Sequence, residues 1–466
     1  MTLPASLVHP DGTPLSLWHD QGPPPPRRAT LEGAVDADVV IVGGGYTGLW
    51  TAYYLLEARP DLSVVIVEAE FCGFGASGRN GGWVSAKFPG SKQKMANDHG
   101  RDAVVAYQHA MFDAVDEIGR IAVRESIACD FEKGGMLLFA TTDAQAQRLR
   151  VYVEGLRRWG FGPDDVEWLS QASAASRANV AGSRAAMFTP HCAVVNPWRL
   201  VSGLARAVES RGATIYENSR ARSVTPGQVV TEQGVVRARS VLRCTEAFTP
   251  ELHGEERTLA PLYSLMIATE PLPDEWWADI GFAHRETFSD ERHLIVYGQR
   301  TADGRFAFGG RGAPYHFGSS VRPQWDRNPR THSLIKDVLW GLFPTLADAR
   351  VTHQWGGAVA VPRDWRISVE YDPVKGLGHA GGYVGQGVAG ANLAGRTLSE
   401  LVLSDYTDRT RLPFVGHRWR LWEPEPLRWV GINLGRALAP MADRREVRTG
   451  RPSRLIGGLL SRLTGS

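Results

Sequence analysis

The chain has 466 residues, 43% hydrophobic and 22% charged, enough for two or three domains with ample apolar cores. A formal net charge of +2 gives no whole-molecule electrostatic case for nucleic acid, and no stretch nears the roughly eighteen apolar residues of a membrane span. Cys72, Cys129, Cys192 and Cys244 lie far apart with no C-x-x-C, against a disulfide framework or zinc site and for a reducing, cytoplasmic setting. No basic segment followed by an apolar core opens the chain, so no secretory leader is expected.

Residues 1–35 are Pro-rich and read as an extended surface arm that Leu15, Leu17 and Trp18 could pin to a core. The organising stretch follows. Val39-Val40-Ile41-Val42 is an unbroken β-branched run, the mark of a buried parallel strand. It ends in Gly43-x-Gly45-x-x-Gly48, and Leu49 to Arg59 reads as a helix stopped by Pro60. A second strand, Val64 to Val67, closes on Glu68 and Ala69. Strand, glycine turn, helix, strand and acidic residue together form the dinucleotide fingerprint. Gly43 permits the tight turn, Gly45 lets a pyrophosphate approach the backbone, and Gly48 lets helix and strand pack. Tyr46 and Thr47 begin the helix, whose free first-turn amides face the phosphates. Glu68 can accept hydrogen bonds from a ribose diol.

Gly75-Ala76-Ser77-Gly78-Arg79-Asn80-Gly81-Gly82-Trp83 comes next. A flexible linker is one reading. Its place directly after the ribose-binding strand favours a loop lying flat against a ligand, with Arg79 and Asn80 as donors.

Helical spacing covers 98–126 and 143–160, around a strand at 135–140, and Pro197 stands where a helix 198–211 would start. Short strands at 214–216, 229–231 and 235–236 read as a meander, and 240–245 as a strand returning to the nucleotide unit. From 262 to 353 the pattern is mostly antiparallel strands, with one helix at about 331–342. A second glycine-rich turn, Gly376 through Gly382, Gly385, Gln386, Gly387 and Val388, feeds a helix from about Ala389 to Leu403. The expected architecture is α/β, α+β as a whole. A Rossmann-like domain (36–97 with 187–261 and 354–405) would carry an inserted antiparallel-sheet domain (98–186 with 262–353).

These three glycine-rich segments, in this order and with Trp355-Gly356-Gly357 before the last, resemble the D-amino-acid oxidase superfamily of flavoproteins. The likeness spans about 15–405 and is nearest to the γ-glutamylputrescine-oxidase-like branch. The resemblance implies bound FAD and oxidation of a carbon–nitrogen bond of an amine or amino acid. A hydride would pass to flavin N5, the imine would hydrolyse, and oxygen would reoxidise the flavin to give hydrogen peroxide. It also places the 75–82 loop against the isoalloxazine ring, and the helix start at Gly385-Gln386-Gly387 where it would stabilise the reduced flavin's anion. Tyr297, Tyr315 and His316 fall on strands that face the ring in this family. Tyr297, His316, Arg79 and Gln386 are therefore the candidate catalytic residues. Trp83 and Trp355 either wall the pocket or pack in the core. The cysteine that binds FAD covalently in sarcosine oxidases corresponds to Gly357, so non-covalent FAD is expected. The lysine that holds a substrate carboxylate there corresponds to Ala389. The expected substrate is thus an amine, including one with a distant carboxylate, rather than a small α-amino acid.

No histidine has metal-ligand spacing, and no metal is expected. The tail 411–466 carries eleven arginines against four acids, a formal +7. Leu455, Ile456, Leu459, Leu460 and Leu463 follow helical spacing. Such a tail packs on its own protein or a second subunit, or docks on a membrane surface. Three functions compete: a soluble oxidase, a membrane-docked dehydrogenase with a non-oxygen acceptor, and a flavoprotein acting on RNA. The near-neutral body argues against the third.

Overall fold

The computed structural model describes residues 4–453 and 458, so the apolar positions Leu455, Ile456, Leu459, Leu460 and Leu463 lie outside the described residues. Strand Gly33–Val42 lies inside an eight-stranded sheet. Along its main path the order is 368–372, 377–381, 234–243, 33–42, 64–67, 214–216. Val39–Val42 run parallel to Val64–Val67 on one side and to Ser240–Arg243 on the other. β-Branched side chains suit this position because both faces of the strand are covered, and all four are buried. Thr214–Tyr216 departs from the expected meander: it lies parallel beside Val65–Val67 at the sheet edge.

Helix Tyr46–Ala58 covers this sheet, and helix Gly387–Leu403 packs on it. A Cβ at Gly395 would stand 2.7 Å from the Trp50 Cβ, so the close crossing depends on glycine. The expected helix 98–126 is two, Lys92–His99 and Arg101–Arg124. Gly100 between them takes φ +86°, which breaks the ladder.

The second eight-stranded sheet runs 351–362, 259–269, 306–311, 296–300, 287–290, 136–140, 185–189, 167–170. It is antiparallel except where 287–290 meets 136–140. Strand Val351–Pro362 crosses the expected boundary at 354, because it pairs with 259–269 along its length. Phe282, Phe288, Phe306, Phe308 and Phe343 cluster in this sheet's core.

The N-terminal arm is anchored by Leu17 and Trp18, both fully buried. The tail forms a helix, Leu427–Thr449, which packs on the second sheet's loops. Asp443 accepts from the His293 and Leu294 amides at 2.7 and 3.1 Å, and Glu446 accepts from Arg148 and the Ser453 amide. Among the described residues no helix is long and apolar enough to cross a membrane.

Candidate active site

The glycine-rich segments converge because polar side chains fasten them together. The Tyr46 amide donates to Ser77 Oγ (2.9 Å), which fixes the 75–82 loop to the start of the first helix. Thr47 Oγ1 and Tyr383 Oη share a hydrogen bond of 2.9 Å, which joins that helix start to the second glycine turn. The Gly44 amide donates to Glu68 Oε2 (2.7 Å). Gly43 takes φ +111°, and a Cβ there would stand 2.5 Å from the Cys244 carbonyl oxygen. Only glycine makes this turn without strain.

Between the two sheets runs one cavity of about 1000 Å³, at the upper end for small-molecule sites. Gly43, Gly45, Tyr46, Thr47, Glu68 and Ala69 line one part of it, with Gly75, Ala76, Ser77, Arg79, Asn80 and Gly81 beyond them. Gly357, Gly385, Gln386, Gly387 and Val388 line it too. Burial pushes the Glu68 carboxyl up to about 7, against the pull of the Glu70 and Gly44 amides.

Three successive carbonyls of the Arg79 loop are held from behind. Trp355 Nε1 donates to the Arg79 oxygen (2.9 Å), Trp18 Nε1 to that of Asn80 (2.8 Å) and Gln299 Nε2 to that of Gly81 (2.5 Å). Side chains from the arm and from two strands of the second sheet therefore pre-organise a loop of the first. Arg79 is buried and pairs with buried Asp326 at 2.5 Å. Burial raises the Asp326 carboxyl, and the guanidinium opposes that rise. Arg79 Nε is buried with no acceptor among the described residues, and it stands 4.0 Å from where a Cβ on Gly357 would be. The wall thus offers bare backbone beside an unsatisfied donor, which fits a flat, acceptor-rich ring.

The far end is lined by Trp83, Met136, Leu138, Ser264, Met266 and Tyr297. Tyr297 shares a 2.7 Å hydrogen bond with Ser264 Oγ, and its ring meets Trp83 edge-on at 6.0 Å. A phenol and an indole here give an aromatic wall with a fixed hydroxyl.

Several expected residues are elsewhere. His316 is off the cavity: the chain turns away after strand Phe306–Arg311, and the ring stacks on Trp325 at 3.5 Å. Tyr315 is buried against Ser319 and Glu425. Gly48, Gly78, Gly82 and Gly382 are not on the wall either. A Cβ at Gly48 would be 2.1 Å from the Gly43 oxygen and one at Gly78 2.4 Å from the Gly73 oxygen. At Gly82 it would meet Gln299 at 2.1 Å, and at Gly382 Trp419 at 2.9 Å. Their smallness serves packing of chain on chain. Trp83 walls the cavity, whereas Trp355 is core. Ala389 is fully buried and off the wall, so the family's carboxylate-binding lysine has no counterpart facing this cavity.

Sequence reading missed Asp326, Trp18 as a loop anchor, and Glu246. Glu246 lines the cavity and accepts the Gly382 and Tyr383 amides at 2.8 and 3.2 Å, holding the second glycine turn. Burial pushes its carboxyl up to about 7. A lone acid after a strand carries no local signal for this role.

A strand–turn–helix nucleotide site opening onto an antiparallel sheet defines a two-part flavoprotein class. Residues 38–401 match the family described as FAD dependent oxidoreductase, and the chain belongs to this DAO family. It is 30% identical over 410 residues to gamma-glutamylputrescine oxidoreductase of Escherichia coli (strain K12), covering 84% of this chain and 90% of that one. Identity is 29% over 403 residues to probable oxidoreductase OrdL of Rhizobium meliloti (strain 1021), covering 84% and 89%. The fold is similar to glycine oxidase from Geobacillus kaustophilus (TM-score 0.70, 20% identity, 82% of this chain and 99% of that one). It is also similar to L-proline dehydrogenase from P. horikoshii (TM-score 0.68, 17% identity, 82% and 98%). The expected family and fold class hold, and the cofactor is FAD.

Proposed function

We propose that the chain is an oxidase of amines or amino acids. It removes two electrons and two protons from a CH–NH unit, and water then hydrolyses the imine to a carbonyl compound and a free amine. The observation that carries this reading is a single cavity shared by the nucleotide-binding turn and the Trp83–Tyr297 wall. Bound FAD supplies the two-electron acceptor and returns the electrons to oxygen as hydrogen peroxide. The groups that would hold it are the amides from Gly43 to Thr47, the Glu68 carboxylate, the 75–81 loop with Arg79 Nε, Gly357, and the helix start at Gln386–Val388. Tyr297 and Trp83 orient the amine and, with Met136, Leu138 and Met266, keep water from the reacting carbon. A neutral amine needs no strong base, so no acid–base pair is required. The name of the Escherichia coli relative, an oxidoreductase of gamma-glutamylputrescine, supports an amine-bearing substrate.

The test is anaerobic mixing of the yellow holoenzyme with a panel of polyamines, N-methyl amino acids and D-amino acids. Bleaching by an amine, faster as pH rises and the substrate amine loses its proton, is the expected result. Bleaching by a hydroxy acid and by no amine would overturn the reading. Gly357 offers no sulfur, so acid should release the FAD into the supernatant.

Glu68→Ala is expected to weaken FAD retention by about 1.5–3 kcal/mol, the value of a charge-assisted hydrogen bond. Equilibrium dialysis that finds unchanged affinity would remove the ribose role from this residue.

A second reading draws on helix Leu427–Thr449. Leu427, Val430, Leu434 and Met441 are exposed along it, with the exposed Arg444 and Arg445 near its end. This pattern suits a dehydrogenase docked on a lipid surface. Oxygen uptake measured with and without an artificial electron acceptor separates the two.

A further inference from the structure

Five Lys and Arg side chains line the cavity: Arg79, Lys87, Arg220, Arg222 and Arg292. Four are already matched by carboxylates. Arg79 pairs with Asp326, Arg220 with Glu70 and Glu251, Arg222 with Glu232, and Arg292 with Asp290. Lys87 alone has no carboxylate within 4 Å among the described residues. It follows strand Trp83–Ser85, so it stands at the end of the cavity bearing Trp83 and Tyr297. A cation left unmatched in a wall where every other cation is matched is a ready partner for a ligand's anion.

We propose that Lys87 is the carboxylate-binding subsite of this cavity, and that the substrate is an amine whose far end carries a single carboxylate. The proposal deepens the amine-oxidation reading and rests on it. The reacting nitrogen lies by Tyr297 and Trp83, and the carboxylate extends along the wall to the Lys87 ammonium. The neighbouring wall selects the charge of that group. Glu291 lies in the field of Lys87, its carboxyl raised by burial and opposed by Lys87 and Arg148, whose Nε is 3.4 Å away. Asp290 holds both oxygens on Arg292 Nε at 2.7 Å. Two acids beside one lysine repel a second negative charge, so a monocarboxylate suits the place and a phosphate does not. Buried Ala389 leaves no rival carboxylate holder on the second flavin-side helix.

The test separates binding from turnover. The holoenzyme is titrated with hexanoate, hexylamine and 6-aminohexanoate while the flavin absorbance is followed, in the wild type, Lys87→Met and Lys87→Arg. Hexanoate is expected to perturb the spectrum, to bind about tenfold more weakly to K87M, and to recover most of its affinity in K87R. Hexylamine binding should be unchanged in both variants. In K87M, turnover of 6-aminohexanoate should show a raised KM with kcat kept. No hexanoate binding to the wild type, equal binding to wild type and K87M, or a hexylamine loss as large as that of hexanoate would overturn the subsite. Hexanoate binding lost in K87M while 6-aminohexanoate bleaches no flavin would keep the subsite and sink the amine-oxidation reading instead.

Discussion

Asp326→Ala is expected to destabilise the protein by about 3–5 kcal/mol, because it leaves the Arg79 guanidinium buried without its counter-charge. Both side chains of this pair are about 5% exposed, so water cannot take the place of the missing carboxylate. The damage should spread to the flavin site. Arg79 opens the loop whose carbonyls are tied by Trp355, Trp18 and Gln299, and its Nε faces the wall at Gly357. Denaturant unfolding followed by tryptophan emission measures the stability, and FAD retention on gel filtration measures the site. The double variant Arg79→Met/Asp326→Ala should be more stable than Asp326→Ala alone, since an apolar pair leaves no charge stranded. If both were equally stable, the single-variant loss would come from packing and not from an unpaired charge.

Gly48→Ala should be nearly as costly for a different reason. The added Cβ would stand 2.1 Å from the Gly43 carbonyl oxygen and 3.1 Å from Ile41 Cγ2. The first contact is with backbone, which cannot rotate aside, so the helix must lift from strand Gly33–Val42. Overpacking of this kind costs about 3 kcal/mol. The lift also moves the Tyr46 and Thr47 amides off the cavity, so FAD retention should fall with stability. Gly341→Ala is the control: nothing lies within 4 Å of its Cβ position on helix Pro329–Leu342, and a gain of about 0.5–1 kcal/mol is expected. Equal effects of the two substitutions would falsify the packing argument.

These two cases divide what could be read from residues in order from what could not. The first glycine turn, its strands and Glu68 were legible because a parallel βαβ unit writes its requirements locally. It needs a β-branched run, glycines at fixed spacing and an acid one strand later. The second glycine turn was legible for the same reason, and the two helices it implied came out as Tyr46–Ala58 and Gly387–Leu403. His316 misled because strand assignment alone does not say where a chain turns away from a sheet. Gly48, Gly78, Gly82 and Gly382 share one motif vocabulary with wall glycines, yet their Cβ directions point into neighbouring backbone or side chains.

The sequence by itself determined the family, the FAD site's backbone and the alternation of two sheet types, all set by spacings of a few residues. Tertiary structure alone decided that Asp326 neutralises Arg79 across 247 positions and that Glu246 holds the turn at Gly382 across 136. It alone decided, too, that Lys87 is the cavity cation left unmatched. A charge's partner depends on which distant segments the fold brings within a few ångströms, and no local pattern records that distance.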